Sequence, residues 1–190
     1  LEGVLPAHDV HRALLAETAL TAANERLRGV AAAITAQATS SGQRAEQAAD
    51  WAAGAIAYRV GVTGVQTPAA MALHFGQGVC QDYAHILLCI LRLMGIPARY
   101  VSGHLLGEGV PHAWVECFLA SPGADGGGEI VAYDPTHRRR AGLNYISVAV
   151  GRDFADVSPT SGSFTGSATG RLSASKRADI VDLTYAGGGA

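Results

Sequence analysis

Apolar positions recur at three- and four-residue intervals through the first half of the chain and change to alternation in the second half. Residues 24 to 37, NERLRGVAAAITAQ, and 43 to 57, QRAEQAADWAAGAIA, are Ala-rich with helical spacing and predict two helices. Weaker helical patterns lie in DVHRALLAETAL and in TPAAMALHF, where Thr67 is placed to cap and Pro68 to take the first helical position. The stretch that starts at Cys80 carries Tyr83, Ile86, Leu87, Leu88, Ile90, Leu91, Leu93 and Met94 around most of its circumference. It predicts a central, buried helix ended by Gly95 and Pro97. After Pro97 come the alternating runs ARYVSGHLL, PHAWVECFL, EIVAYDP and NYISVAVG, with a further strand pattern near GRLSASKRADIVDL. Helices followed by sheet define an α+β class. The expected organisation is one domain overall: an N-terminal helical segment over 1–42, a core over 43–186 and a disordered tail over 187–190.

Composition narrows the functions available to such a fold. A chain of 190 residues with 48% hydrophobic and 16% charged positions has an ordinary globular balance. Its net charge of -2 gives no electrostatic basis for nucleic acid or an anionic membrane as partner. The apolar stretch Ile86 to Met94 contains Arg92 and falls far short of the roughly 20 residues that cross a bilayer, so no membrane partner is expected. The sequence starts at Leu1 without an initiator Met or a leader pattern, and reads as a piece of a longer protein. Oligomeric state leaves no signature in it.

The 3 cysteines form no CxxC pair and are odd in number, which argues against a disulfide framework and a zinc knuckle and for a reducing, cytoplasmic location. Cys89 lies nine positions after Cys80, on the opposite side of the helix among leucines, and Cys117 alternates with Ala113, Val115 and Leu119. Both read as buried, inert thiols. Cys80 differs, because a helix start offers free backbone N–H groups and partial positive charge, which favour thiolate over thiol. Glycines before it, at Gly76 and Gly78, would let a substrate backbone approach.

Partners for that thiol lie in the strands. Alternation in PHAWVECFL sets His112, Trp114, Glu116 and Phe118 opposite the Ala, Val, Cys and Leu set, and EIVAYDP puts Asp134 in line with Ile130 and Ala132. The intervening Gly-rich loop predicts an antiparallel hairpin. Centred on Gly123, that hairpin would bring His112 and Asp134 nearly opposite each other. A histidine held by a carboxylate can take the thiol proton and return it to a leaving amine. Cys80, His112 and Asp134 are therefore the expected catalytic triad, with the Cys80 backbone N–H as one oxyanion donor and Gln77 or Gln81 as candidates for a second.

The blocks GVCQDYAHILLCILRLMGIPARYVSGHL, HAWVE and YDPT, in that order, resemble the bacterial transglutaminase-like superfamily of cysteine proteases. The resemblance covers roughly residues 45 to 166 and matches the family's nucleophile to Cys80, its histidine to His112 and its acid to Asp134. It implies a papain-like, transglutaminase-core cysteine protease fold, with N-terminal helices and a central Cys helix packed on an antiparallel β-sheet, and a β-rich domain N-terminal to it. Pro111 stands where a small polar residue often precedes the histidine, and His137 where Asn often follows DPT. The loop ASPGADGGGE lacks the family's usual tryptophan. The activity implied is cleavage of a peptide or protein amide through a thioester acyl-enzyme, without metal or organic cofactor. A transamidase, or a binding module of the same fold without turnover, is the alternative.

Other polar residues read as structural. His74 and His85 suit surface or capping roles. His8 and His11 have metal-ligand spacing but no third ligand. Trp114 reads as core, and the run His137 to Arg140 as a solvated turn or, alternatively, a site for a substrate carboxylate. Asp82 can offset the helix dipole or touch substrate, and Asp153 belongs, like Asp82, to a family-like block.

Overall fold

The protein's structure, a computed structural model, describes residues 12–120 and 128–159. The strand pattern near GRLSASKRADIVDL, the GGGA tail, His8, His11 and the glycine-rich hairpin loop lie outside these residues.

After a helical turn at 12–15 and a 3-10 turn at Ala19–Thr21, the chain forms α1 (Glu25–Gln37) and α2 (Ser41–Ala55). Each helix starts on a polar cap: Asn24 accepts the Leu27 N–H at 2.9 Å, and Ser40 accepts the Gln43 N–H at 3.2 Å. The second helix stops two residues before its periodicity does, because Ala57–Tyr58 (β1) pairs in parallel with Gln77–Gly78 (β2). Between them lies α3 (Ala69–Phe75), capped at Pro68 rather than Thr67. The Thr67 hydroxyl instead accepts the Gly64 N–H at 2.9 Å.

The next helix, α4 (Cys80–Leu93), is enclosed on every side, with every residue from Gln81 to Arg92 buried. Leu27, Ala31 and Ile34 of α1 and Ala45, Ala48, Ala49 and Ala52 of α2 share its hydrophobic core. Alanines on α2 allow its backbone to approach α4 closely. On the other side lies an antiparallel sheet of β3 (Ala98–Leu105), β4 (Pro111–Ala120), β5 (Gly128–Asp134), β6 (Arg139–Arg140) and β7 (Tyr145–Gly151). Its spatial order is β6-β5-β4-β3-β7. Ala113, Val115, Cys117 and Leu119 of β4 face the helix, as their alternation predicts. A short helix, α5 (Phe154–Val157), follows, with Asp153 as its cap accepting the Ala155 N–H at 2.7 Å. The α+β expectation thus holds.

Burying α4 also buries its polar residues. Arg92 donates to the Leu14, Ala98 and Arg152 carbonyls and, at 2.8 Å, to the Thr21 hydroxyl. His85 is fully buried, which excludes the surface role and leaves the capping one, since Phe154 is the first residue of α5. Its Nε2 accepts the Phe154 N–H at 3.2 Å, and burial pushes the imidazole down to about 4. No helix among the described residues is long and apolar enough to cross a membrane.

Two glycines should respond oppositely to a methyl group. A Cβ on Gly103, at the β3–β7 register shift, would collide with the Ile146 carbonyl and the Trp114 ring, whereas one on Gly29, inside α1, would meet nothing within 4 Å. Gly103→Ala is expected to destabilise by about 3 kcal/mol through overpacking. Gly29→Ala is expected to stabilise by about 1 kcal/mol through helix propensity. Chemical denaturation of the two variants checks both signs.

Candidate active site

Cys80 is the first residue of α4, and its position is fixed from both directions along the chain. Upstream, the Ala57 N–H donates to the Gly76 carbonyl at 2.8 Å and the Arg59 N–H to the Gly78 carbonyl at 2.7 Å. Downstream, Asp82 folds back so that its Oδ2 accepts the Val79 N–H at 2.7 Å and the Thr63 hydroxyl at 2.6 Å. A Cβ on Gly78 would lie 2.6 Å from that oxygen. Gly78 is therefore needed for the chain's own turn, and Gly76, at φ 65°, closes α3 in the left-handed region. Asp82 is fully buried, which leaves it the helix-start role and not a substrate contact, and burial raises its pKa despite those hydrogen bonds.

Cys80 is partly exposed, while Cys89 and Cys117 are buried and pushed up to about 12 by desolvation. The Gln81 carboxamide donates to the Gly64 and Val65 carbonyls, at 3.5 and 3.3 Å, and so is engaged in holding that loop. Gln77 accepts from Arg59 at 3.2 Å.

Strand pairing carries the other two residues. Val115 faces Tyr133 and Glu116 faces Ala132, a register that sets Asp134 across from Trp114 rather than His112. His112 and Asp134 are thus diagonal neighbours on one face, within reach of long side chains. His112 Nε2 lies 2.7 Å from Asp134 Oδ2, with both side chains buried. Burial alone would lower His112, but hydrogen bonds to Asp134 and Cys80 outweigh it and raise the imidazole to about 9. Asp134 would be raised by burial, yet its bonds to His112, Tyr145 and His137 take it down to about 2. An ionised carboxylate only accepts, so His112 carries its proton on Nε2 when neutral and leaves Nδ1 for the thiol.

Four neighbours complete the site. Tyr145 donates its hydroxyl to Asp134 Oδ2 at 2.7 Å, and His137 Nδ1 meets the same oxygen at 2.7 Å. His137 Nε2 lies 3.0 Å from Glu108 Oε1. Trp114, buried as expected, stacks on His112 at 6.2 Å and meets Tyr145 edge-on at 5.2 Å. A cleft of about 380 Å³ is lined by Tyr58, Cys80, Glu108, His112 and His137, among others. Residue type alone does not announce the places of His137, Glu108 and Tyr58 in this cleft, nor that of Tyr145 at Asp134. The spacing of His137, three residues after Asp134, was the available signal, since a turn brings i and i+3 together.

The run after His137 is not a free basic turn. Arg138 donates to the Ala53 carbonyl at 3.3 Å, Arg139 to the Tyr145 hydroxyl at 2.8 Å, and Arg140 to Glu46. The His112, Asp134 and His137 atoms converge within 4.8 Å, a spacing that could suit a metal ion. Here they are joined to one another by hydrogen bonds.

Comparison with known proteins bears on family and fold. The family model described as Transglutaminase-like superfamily matches residues 28–135. The uncharacterized protein ML0607 of Mycobacterium leprae is 40% identical over 163 residues, which is 80% of this chain and 55% of that protein. Rv2569c of Mycobacterium tuberculosis, also uncharacterized, is 36% identical over 116 residues, 55% of this chain and 36% of its own length. The chain therefore spans about half or less of these relatives. Among solved structures, "a Putative Cysteine Protease from Cytophaga hutchinsonii" superposes with a TM-score of 0.66 at 26% identity, over 81% of this chain and 50% of that one. The periplasmic domain of TgpA from Pseudomonas aeruginosa shares the fold, with a TM-score of 0.51 at 22% identity over 70% and 49% of the two chains. With a matching family model over more than half its length, and with the helix-on-sheet architecture of these neighbours, the chain belongs to the transglutaminase-like superfamily.

Proposed function

We propose that the protein hydrolyses an amide bond in a peptide or protein, with Cys80 as nucleophile, His112 as general acid and base, and Asp134 as the residue that orients His112. One observation carries this reading: His112, bonded through Nε2 to Asp134 at 2.7 Å, lines the same cleft as the partly exposed thiol. In the forward half, His112 Nδ1 takes the thiol proton and Cys80 Sγ adds to the carbonyl carbon. The backbone N–H of Cys80 would donate to the developing oxyanion. His112 then returns the proton to the departing amine as the C–N bond breaks, which leaves a thioester. In the second half, His112 Nδ1 takes a proton from water, the hydroxyl oxygen attacks the thioester, and the acid leaves as the thiol is restored. Hydrolysis is favoured over transfer because water needs no acceptor site, whereas an amine must be bound while water is excluded. Free thiols at Cys80, Cys89 and Cys117 fit a reducing compartment.

Intact-mass spectrometry with an amide library, with and without a primary amine, tests the reaction. Wild-type protein is expected to release acid, and Cys80→Ala to form no acyl adduct. Predominant amine incorporation would reassign the chain as a transamidase. Absence of any adduct would leave the binding-module reading.

A second test uses pH. The raised His112 pKa predicts that kcat/KM falls on the alkaline side through about 9, as the imidazolium that protonates the leaving group is lost. The same group links pH to stability. Its contribution is fully present below the ordinary value of 6.5 and disappears as pH rises through about 9. Asp134 contributes above its ordinary 3.8 and loses its contribution as pH falls through about 2. The gap in unfolding free energy between wild type and His112→Ala should shrink as pH rises from 6.5 through about 9. A constant gap would contradict the linkage.

A further inference from the structure

We infer that His137 is a positioning residue for the triad: it holds the Asp134 carboxylate in the rotamer that presents His112 to Cys80. This rests on the Cys80, His112 and Asp134 reading above. Asp134 Oδ2 faces three groups at 2.7 Å, namely His112 Nε2, His137 Nδ1 and the Tyr145 hydroxyl. Arg139 Nε donates to that hydroxyl at 2.8 Å, so Tyr145 turns its proton toward the carboxylate. Asp134 Oδ1 is held by the backbone N–H groups of Thr136 and His137, at 3.0 and 3.2 Å. Fixing one oxygen by the turn and loading the other with convergent donors leaves the carboxylate a single orientation.

Within that set His137 differs from Tyr145 by its second attachment. Its Nε2 meets Glu108 Oε1 at 3.0 Å, on the turn between β3 and β4, so the ring ties the end of β5 to the far side of the cleft. It stands edge-on to His112, with centroids 5.0 Å apart. Its side chain is 32% exposed, against 3% for His112 and 0% for Asp134. Replacing it therefore alters the hydrogen-bond set without opening the core.

Atom positions separate the two attachments. An Asn side chain places its NH2 group near the position of imidazole Nδ1 and can keep the bond to Asp134. Gln places its NH2 group near Nε2 and can keep only the bond to Glu108. The experiment is the rate of Cys80 alkylation by iodoacetamide at neutral pH, read by peptide mapping, with the melting temperature of each variant alongside. His112→Ala reports on the triad itself. His137→Ala is expected to slow alkylation about tenfold through misplacement of the imidazole, with little change in melting temperature. His137→Asn should restore the rate to within about twofold, and His137→Gln should remain as slow as the alanine variant. A wild-type rate in His137→Ala, or rescue by Gln but not Asn, overturns the positioning role. If His112→Ala is slow while His137→Ala is not, the positioning role alone fails. If His112→Ala also reacts at the wild-type rate, the triad reading fails and takes this inference with it.

Discussion

Complete enclosure of α4 is the constraint from which the other features follow. A helix apolar around most of its circumference must be covered by α1 and α2 on one side and by the sheet on the other. Once covered, it can offer reactive chemistry to a substrate only at an end. Cys80 stands at its N-terminal end, where backbone donors are unpaired by the helix itself, while the later residues of the same helix are sealed in the core. Placement of the Cys80 thiol is thus a product of packing, and the polar groups trapped on α4 are tied to segments outside it.

Much of this was legible in the sequence, because periodicity reports which face is buried. The hairpin illustrates why the His112 and Asp134 pair survived a mistaken register. Moving the pairing so that Asp134 faces Trp114 instead of His112 is a shift of two residues, and an even shift keeps every side chain on its own face. A shift of one would have separated the pair. His85 shows the limit: its polarity suggested the surface, but no periodic signal distinguishes a polar residue on a covered helix from one on an exposed face. His137 and Tyr145 reach Asp134 through a turn and from the strand at the opposite edge of the sheet, and such convergence depends on loop geometry that residue type does not encode.

Asp134 also joins parts of the chain that the fold otherwise keeps apart. Its acceptor oxygens gather the start of β4, the turn before β6 and the start of β7 around one negative charge. Transglutaminase-like architecture supplies the helix and sheet, and this carboxylate fixes their edges relative to the cleft. The proposed orienting role and local rigidity are therefore sited on the same group.

Arg92 plays a comparable part at the opposite end of α4. Its planar guanidinium reaches Leu14, Thr21, Ala98 and Arg152, and desolvation lowers it to about 10, still a cation at neutral pH. A lysine ammonium could not match that fork of donors. Leu14 and Arg152 are far apart in sequence yet share one hub, so the N-terminal turn cannot fray without loosening the junction that follows β7. The two segments should open as a single cooperative unit in amide hydrogen exchange, with a common opening free energy despite their distance along the chain.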